Sequence, residues 1–388
     1  MGFDKALAEA FARDVDRDRA RYFAGRADEI ARFDLRLGLL KDQVAAGHTP
    51  SSLAMVFQGP PGCGKTSLVD HLGKRHVDVL FVKAEKRHLV TAEKVMERVR
   101  QAATATGLLR VGKRTIGLVA EAMGAKELAR SASEIIGDAA AERSCVVVHV
   151  DEAQTLDAGQ EEGLLSLQQG SLDIPVLPVF TGLSHTAASL KAVPGMSRLA
   201  DGSVVNMTSM LEDECIESTR AMLDSMGAVG SVGENEDTCR YVAKLSRGWP
   251  QHLNRAQAAL CQELVRTDGQ TGSVDRRVVR QRSDEARFSY YRSRLDDPVL
   301  AVRPALVAAL AGRLERDRPY DLIALTDLCA AQMAKLDIEP KRWFDPKDYV
   351  YAMIQRGVLA QNDRDLYTVA IPSMKDWLLR TYGRPDSE

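Results

Sequence analysis

Little in this chain of 388 residues points to a membrane, a disulfide framework or a polyanion. No run approaches the roughly 18 apolar residues that a spanning helix needs. The opening stretch, "MGFDKALAEAFARDVDRDRARYF", is charged and has no apolar core of the length a secretory leader uses. Gly2 is followed by Ala6 where a myristoylation signal carries Ser or Thr. The six cysteines (Cys63, Cys145, Cys215, Cys239, Cys261, Cys329) are scattered, with no CxxC and no paired histidine spacing. Neither a zinc site nor a disulfide framework is therefore expected, and the thiols read as small buried or incidental side chains of a cytoplasmic protein. An excess of one charge is lacking too: 52 Lys and Arg face 54 Asp and Glu, a formal net charge of −2. Binding to nucleic acid must then come from a local patch, not from the whole chain. Aromatics are few (5%), and there is no internal repeat or low-complexity tract.

What is present is an ordinary globular composition, 45% hydrophobic and 27% charged, at a length that predicts two or three domains. Helical apolar spacing over 4–21 (Leu7, Phe11, Val15) and a second helix over about 27–45 precede "SSLAMVFQG", a short apolar run ending in glycine. "KTSLVDHLGKRH" then reads as a helix and "VDVLFVKA" as a strand. Strand, glycine loop, helix and strand within about 35 residues make the βαβ unit of a parallel sheet. Residues 88–143 read as mostly helical. "CVVVHVDEA" follows as a strand whose unbroken valines suit cover on both faces. "GLLSLQQGS" is a short helix, "IPVLPVFTGLS" another central strand, and "SVVNMTSM" the last strand. Helices over 212–226 and about 235–266 form a small helical subdomain. "RTDGQTGSVDRR" has the composition of a linker. Helices at about 298–314, 319–335 and 346–357, a strand–turn–strand "GVLAQNDRDLYTVAI" and a helix "SMKDWLLRTYG" close the chain.

"GPPGCGKT", Gly59 to Thr66, fits the phosphate-loop pattern G-x-x-x-x-G-K-S/T. The loop Gly59, Pro60, Pro61, Gly62, Cys63, Gly64, with Lys65, Thr66 and Ser67, is predicted to hold a nucleotide. Glycine backbone angles turn successive N–H groups onto phosphate oxygens, and the following helix adds its positive end. Lys65 would reach the β- and γ-phosphates and the Thr66 hydroxyl a Mg²⁺ ion. The second element is "VVVHVDE", which places Asp151 and Glu152 directly after an apolar strand, at the edge where open α/β sheets take their ligands. Asp151 would hold Mg²⁺ through water, and Glu152 would orient or deprotonate the attacking water. His149, inside the strand, reads as a packed core histidine.

These motifs, with Tyr22-Phe23-Ala24-Gly25-Arg26 upstream, resemble the AAA+ ATPases. The likeness is to the branch holding origin-recognition ATPases, transposon target-selection ATPases and STAND nucleotide switches. It covers roughly residues 20–265 and implies an α/β parallel-sheet core with a helical lid, ATP and Mg²⁺ as ligands, and a homo-oligomer. An F-x-G-R-x-x-E box, here Phe23, Gly25, Arg26 and Glu29, lies against the adenine in that branch. The resemblance further implies that Thr181 is the polar sensor at the end of "VLPVFTGLS". It makes Arg198 in "GMSRLADG" the arginine that reaches a neighbouring subunit's nucleotide. "SRGWPQHLNRA" looks like the lid motif usually written G-x-P-R, with Pro250 against the nucleotide. Gln251 stands at the arginine's place, with Arg247 and Arg255 nearby as candidates to substitute for it.

The C-terminal third resembles a winged-helix domain, with 346–357 as recognition helix. The expected organisation is a core over 1–210 with a helical insertion at about 88–143, a lid over 211–268, a basic linker over 269–295 and a winged helix over 296–388. Against DNA contact by that last region stand 13 Lys and Arg facing 15 Asp and Glu. "RRVVRQRSDEARFSYYRSR" is basic, and its arginines and Tyr290 and Tyr291 could meet phosphates and bases, or form a charged helix paired with acidic neighbours. Two outputs follow: an ATP-hydrolysing machine acting on DNA or a protein partner (a transposase, nuclease or other effector), or a STAND-like switch recruiting a protein.

Overall fold

The computed structural model describes residues 2–14, 21–47, 53–115, 145–168, 175–194, 196, 203–301, 303–314, 320–340, 345–361 and 366–383, with side chains to 105 in the third segment. Its sheet has five strands in the order β2-β3-β4-β1-β5. They are β1 (Met55–Gln58), β2 (Leu80–Ala84), β3 (Val146–Val150), β4 (Val176–Gly182) and β5 (Val204–Asn206). β1 pairs with β4, β4 with β3 and β3 with β2, all parallel. The fold is an α/β P-loop NTPase core followed by helices. All five residues of β3 are buried, as a valine run covered on both faces requires.

The chain divides into two compact units. One comprises residues 27–58 and 68–205. It holds α2 (Ala27–Ala45), most of α3 (Lys65–Arg75), α4 (Ala92–Thr115), α5 (Glu161–Gln168) and α6 (Thr186–Ala192). Its core joins the sheet residues Val56, Val82, Val148 and Phe180 to Val95 and Val99 of α4, Leu164 of α5 and Leu190 of α6. Of the expected insertion, residues 116–144 lie outside the described residues, and α4 carries the part before them.

The other unit comprises residues 1–26, the phosphate loop 59–67, and 206–388. α1 (Lys5–Arg13) packs Ala8 and Phe11 into a helical core with α7 (Glu212–Ser225), α8 (Val232–Ser246) and α9 (Pro250–Arg266). The helix expected over about 235–266 is two helices. Arg247 (φ 52°) and Gly248 (φ 74°) turn left-handed after Ser246, and Pro250 at the first turn of α9 cannot donate to a continuing helix. The "linker" is not loose. Val229 and Gln270 form a β-bridge, Thr271 is buried, and "RR" opens α10 (Arg276–Leu295), a 20-residue helix packed on α9. Beyond it come α11 (Pro304–Arg313), α12 (Leu322–Lys335), α13 (Pro346–Gln355), an antiparallel pair β6 (Leu359–Gln361) and β7 (Tyr367–Val369), and α14 (Pro372–Tyr382). All six cysteines are buried, and none is in a disulfide. Among the described residues no helix is long and apolar enough to cross a membrane.

Candidate nucleotide site

The phosphate loop leaves the C-terminal end of β1, and Lys65 opens α3. The loop's shape is forced at its glycines. A Cβ on Gly59 would lie 2.4 Å from the Met207 carbonyl oxygen, and Gly62 and Gly64 sit at φ 79° and 95°, where side chains are strained. The Lys65 ammonium is 3.0 Å from both the Gly59 and Pro60 carbonyl oxygens and 3.7 Å from Cys63 Sγ, so it is held within the curve of its own loop. A loop with left-handed glycines, an inward lysine and a helix start fits a polyphosphate in shape and charge.

Around this loop lies a cleft lined by Tyr22, Phe23, Arg26, Gly64, Ser67, Met210, Pro250 and Leu253. Phe23, Arg26, Ser67 and Pro250, each assigned to the nucleotide from sequence, therefore share one cleft wall. Arg26 does more than line it. Its guanidinium Nη2 donates to the Cys63 carbonyl at 2.9 Å and to that of Thr208 at 2.6 Å, and it is buried. Its backbone, left-handed at φ 63°, donates to Glu214 Oε1 at 2.9 Å. The upstream box thus braces the phosphate loop, a role the motif alone did not predict. Tyr22 anchors the box: its carbonyl accepts from Ser218 and its hydroxyl from Ser225 of α7.

Gln251 donates its backbone N–H to the Gly62 carbonyl at 3.1 Å. Arg247, considered as a replacement for the missing lid arginine, instead bonds Asp376 of α14 at 2.9 Å. Arg198 lies outside the described residues.

The carboxylate end of the sheet is built differently, from side chains that hold one another. Thr181, wholly buried near the end of β4, donates its hydroxyl to Asp151 Oδ1 at 2.6 Å. The Thr181 hydroxyl oxygen itself lies 2.9 Å from His149 Nε2. Thr181 has a single proton, given to Asp151, so His149 must carry its proton on Nε2 and donate it to Thr181. Burial holds the imidazole pKa down to about 4, with the Asp151 charge opposing, so His149 is neutral near pH 7. The core-histidine expectation stands, with one addition: His149 continues the hydrogen-bond chain to Asp151. Lys83 of β2 brings its ammonium to 3.7 Å from Asp151 Oδ2.

Glu152 sits at φ 53°, a left-handed conformation that costs a non-glycine residue about 1 kcal/mol or more. Gln154 Nε2 donates to Glu152 Oε2 at 2.5 Å, while Gln154 Oε1 accepts from the Leu183 backbone at 3.1 Å. Sequence reasoning missed Gln154. Its position three residues after Asp151 carries no motif signal, because its partner lies in the turn after β4.

No family model matches the sequence, and no curated protein matches it. Among solved structures, the chain is similar to the Walker-type ATPase PABY2304 of Pyrococcus abyssi, at 17% identity and TM-score 0.56, covering 92% of this chain and 96% of that one. The fold is that of a Walker-type ATPase. Weaker likenesses are to the ORC2 protein of Aeropyrum pernix (ADPNP–ADP complexes; 11% identity, TM-score 0.49, 92% and 95% covered) and Cdc6p of Pyrobaculum aerophilum (15%, 0.44, 93% and 96%). At these identities the likeness speaks for the fold alone.

Proposed function

We propose that this chain is an AAA+ ATPase that binds ATP with Mg²⁺ and hydrolyses it, using the cycle to assemble on or remodel DNA or a partner protein. The observation that carries the reading is the 2.6 Å hydrogen bond between Thr181 and Asp151 at the end of β3, in the same parallel sheet whose β1 runs straight into the phosphate loop. The loop N–H groups and Lys65 would hold the β- and γ-phosphates, the ammonium exchanging its carbonyl partners for phosphate oxygens. Thr66 and Asp151 would hold Mg²⁺, which when bound draws off charge building on the transferred phosphoryl group. Glu152 would take a proton from, or orient, the attacking water, with Gln154 fixing its carboxylate. Thr181 would keep Asp151 aimed. Arg198 is assigned to a neighbouring subunit's nucleotide in a homo-oligomer.

On this reading residues 1–210 are the core with its insertion, 211–268 the lid, 269–295 the basic linker and 296–388 a winged helix. Lys65→Ala should abolish ATP binding. ATP turnover measured with and without double-stranded DNA, and across protein concentration, tests the output. DNA stimulation or steep concentration dependence supports the machine, whereas slow, flat turnover with retained nucleotide defeats it.

A second reading, a STAND-like switch that recruits a protein, is favoured by the C-terminal side chains. Arg356, at the end of the candidate recognition helix α13, is held by Asp297 at 3.0 Å. In α10, Arg282 bonds Glu263 and Arg287 bonds Asp284, while Tyr291 is fully buried instead of free to stack on bases.

A further inference from the structure

β3 carries one polar side chain, His149, in a buried run otherwise made of valine. A polar group in such a place costs free energy unless something bonds it. The strand register supplies the partner. His149 lies beside Val179 of β4, and side chains two apart along a strand share a face. Asp151 and Thr181 therefore meet on the same face, one step further along.

The Thr181 hydroxyl is the middle of the resulting chain. Its oxygen receives the Nε2–H of His149 at 2.9 Å, and its proton goes to Asp151 Oδ1 at 2.6 Å. His149 is 4% exposed and Thr181 is 0% exposed, so the protein and not solvent sets the direction of these bonds. A hydroxyl has one proton to give. With the imidazole donating to it from one side, Thr181 gives that proton away from His149, and turning it to another acceptor would strip Asp151 of its shortest bond. Asp151 Oδ1 also accepts from the Glu152 backbone at 3.1 Å, so two donors pin this oxygen. The other oxygen, Oδ2, faces the Lys83 ammonium at 3.7 Å and is the side of the carboxylate turned to cations.

We propose that His149 is a positioning residue for Mg²⁺: it commits the Thr181 hydroxyl to the metal-holding Asp151 and away from the nucleotide's terminal phosphate. The proposal rests on the ATP reading above and deepens it. It also departs from the family likeness, which makes Thr181 a sensor of that phosphate. Groups that orient a metal's direct ligands govern its affinity without touching it. A valine at position 149, matching its neighbours, would leave the hydroxyl free to swing toward a phosphate oxygen. The histidine removes that freedom.

The test is Mn²⁺ binding, followed by electron paramagnetic resonance, to the full chain carrying Glu152→Gln with ATP present. Beside it, ATP and ADP binding are measured with metal removed by a chelator. His149→Phe should weaken Mn²⁺ about tenfold, and His149→Gln, whose amide still donates, should recover most of the loss. Without metal, Thr181→Val and His149→Phe should each leave the ATP-to-ADP affinity ratio within about twofold of the parent's. Mn²⁺ affinity unchanged in His149→Phe overturns the proposal. So does a Thr181→Val protein that, without metal, loses ATP but keeps ADP, because its hydroxyl then served the terminal phosphate. Both results leave the ATPase reading intact. Where a buried substitution unfolds the chain, the nitrogen-15 resonances of the parent's histidines decide, with His149→Gln assigning the signal. A proton on His149 Nε2 supports the proposal and a bare Nε2 overturns it. A parent protein that binds neither nucleotide overturns the ATPase reading and this proposal together.

Discussion

The phosphate loop and the carboxylate end of the sheet are held in shape by opposite means. The loop is a backbone object. Its curve is set by Gly59, Gly62 and Gly64, and its outside is braced by residues far along the chain: Met207, Arg26, Trp249 and Tyr290. The carboxylates depend on side-chain chains instead, one running His149–Thr181–Asp151 and another Gln154–Glu152, tied to the turn after β4. A backbone object tolerates change in what surrounds it until a Cβ collides with it. A side-chain chain fails at the first link whose proton or oxygen is removed. The two regions should therefore respond differently to small substitutions.

The largest separation is expected at Glu152. Glu152→Gln keeps the shape and the Gln154 contact but removes the base, so turnover should fall by about 10²- to 10⁴-fold. ATP affinity, set by the loop, should stay within about twofold of the parent. Phosphate release and equilibrium binding measured on one preparation decide it. A Glu152→Gln protein that turns over at the parent rate removes the residue from the chemistry, and one that loses binding as well breaks the division between the regions.

How much of this was legible in the sequence follows the same division. The loop, the β1 strand before it, the valine run of β3 and the acidic pair could be placed because their signals are local: glycine spacing, a lysine before a hydroxyl, apolar runs of strand length. Thr181 was placed by family likeness, and its partner Asp151 is 30 residues away along the chain. Nothing local marked Gln154, or the tie from Arg26 to the Cys63 carbonyl, since those bonds exist only once distant segments meet. The break at Arg247–Pro250 was legible in principle. A glycine two residues before a proline inside a helical pattern ends the helix, yet the apolar spacing continues on both sides and hides it.

Acid should test a feature the two regions share. His149 in the sheet unit and His252 in α9 are both buried, and burial lowers their pKa values from 6.5 to about 4 and about 3. Each is neutral when folded but takes up a proton more readily when unfolded. Their contribution is therefore complete above pH 6.5 and is lost as pH falls toward the folded values. At pH 5 each should cost about 2 kcal/mol relative to pH 7.5. Thermal unfolding followed between pH 7.5 and 5 measures the sum. A melting temperature flat across that window contradicts both burials.

Thr181 comes next in size. Thr181→Val leaves His149 Nε2–H without an acceptor and takes one of its donors from Asp151, which should cost about 1–3 kcal/mol of stability. Turnover should drop about tenfold or more, with ATP binding retained. Thr181→Ser, which restores the hydroxyl, should recover most of both. Equal loss in Val and Ser would show that packing, not the hydrogen-bond chain, governs this site.

The smallest effect is expected at Arg247, and it bears on the loop region by contrast. Its bond to Asp376 joins two side chains that are 54% and 50% exposed. A pair so open to water and salt is worth about 0–1 kcal/mol, so Arg247→Ala should lower stability only slightly, and less at high salt. Arg247→Gly should lose the same pair but relieve the left-handed backbone at φ 52°, leaving stability near the parent's or above it. Because Arg247 faces α14, neither substitution should change ATP affinity. A tenfold loss of ATP affinity in Arg247→Ala would return this arginine to the nucleotide, in the place where Gln251 stands.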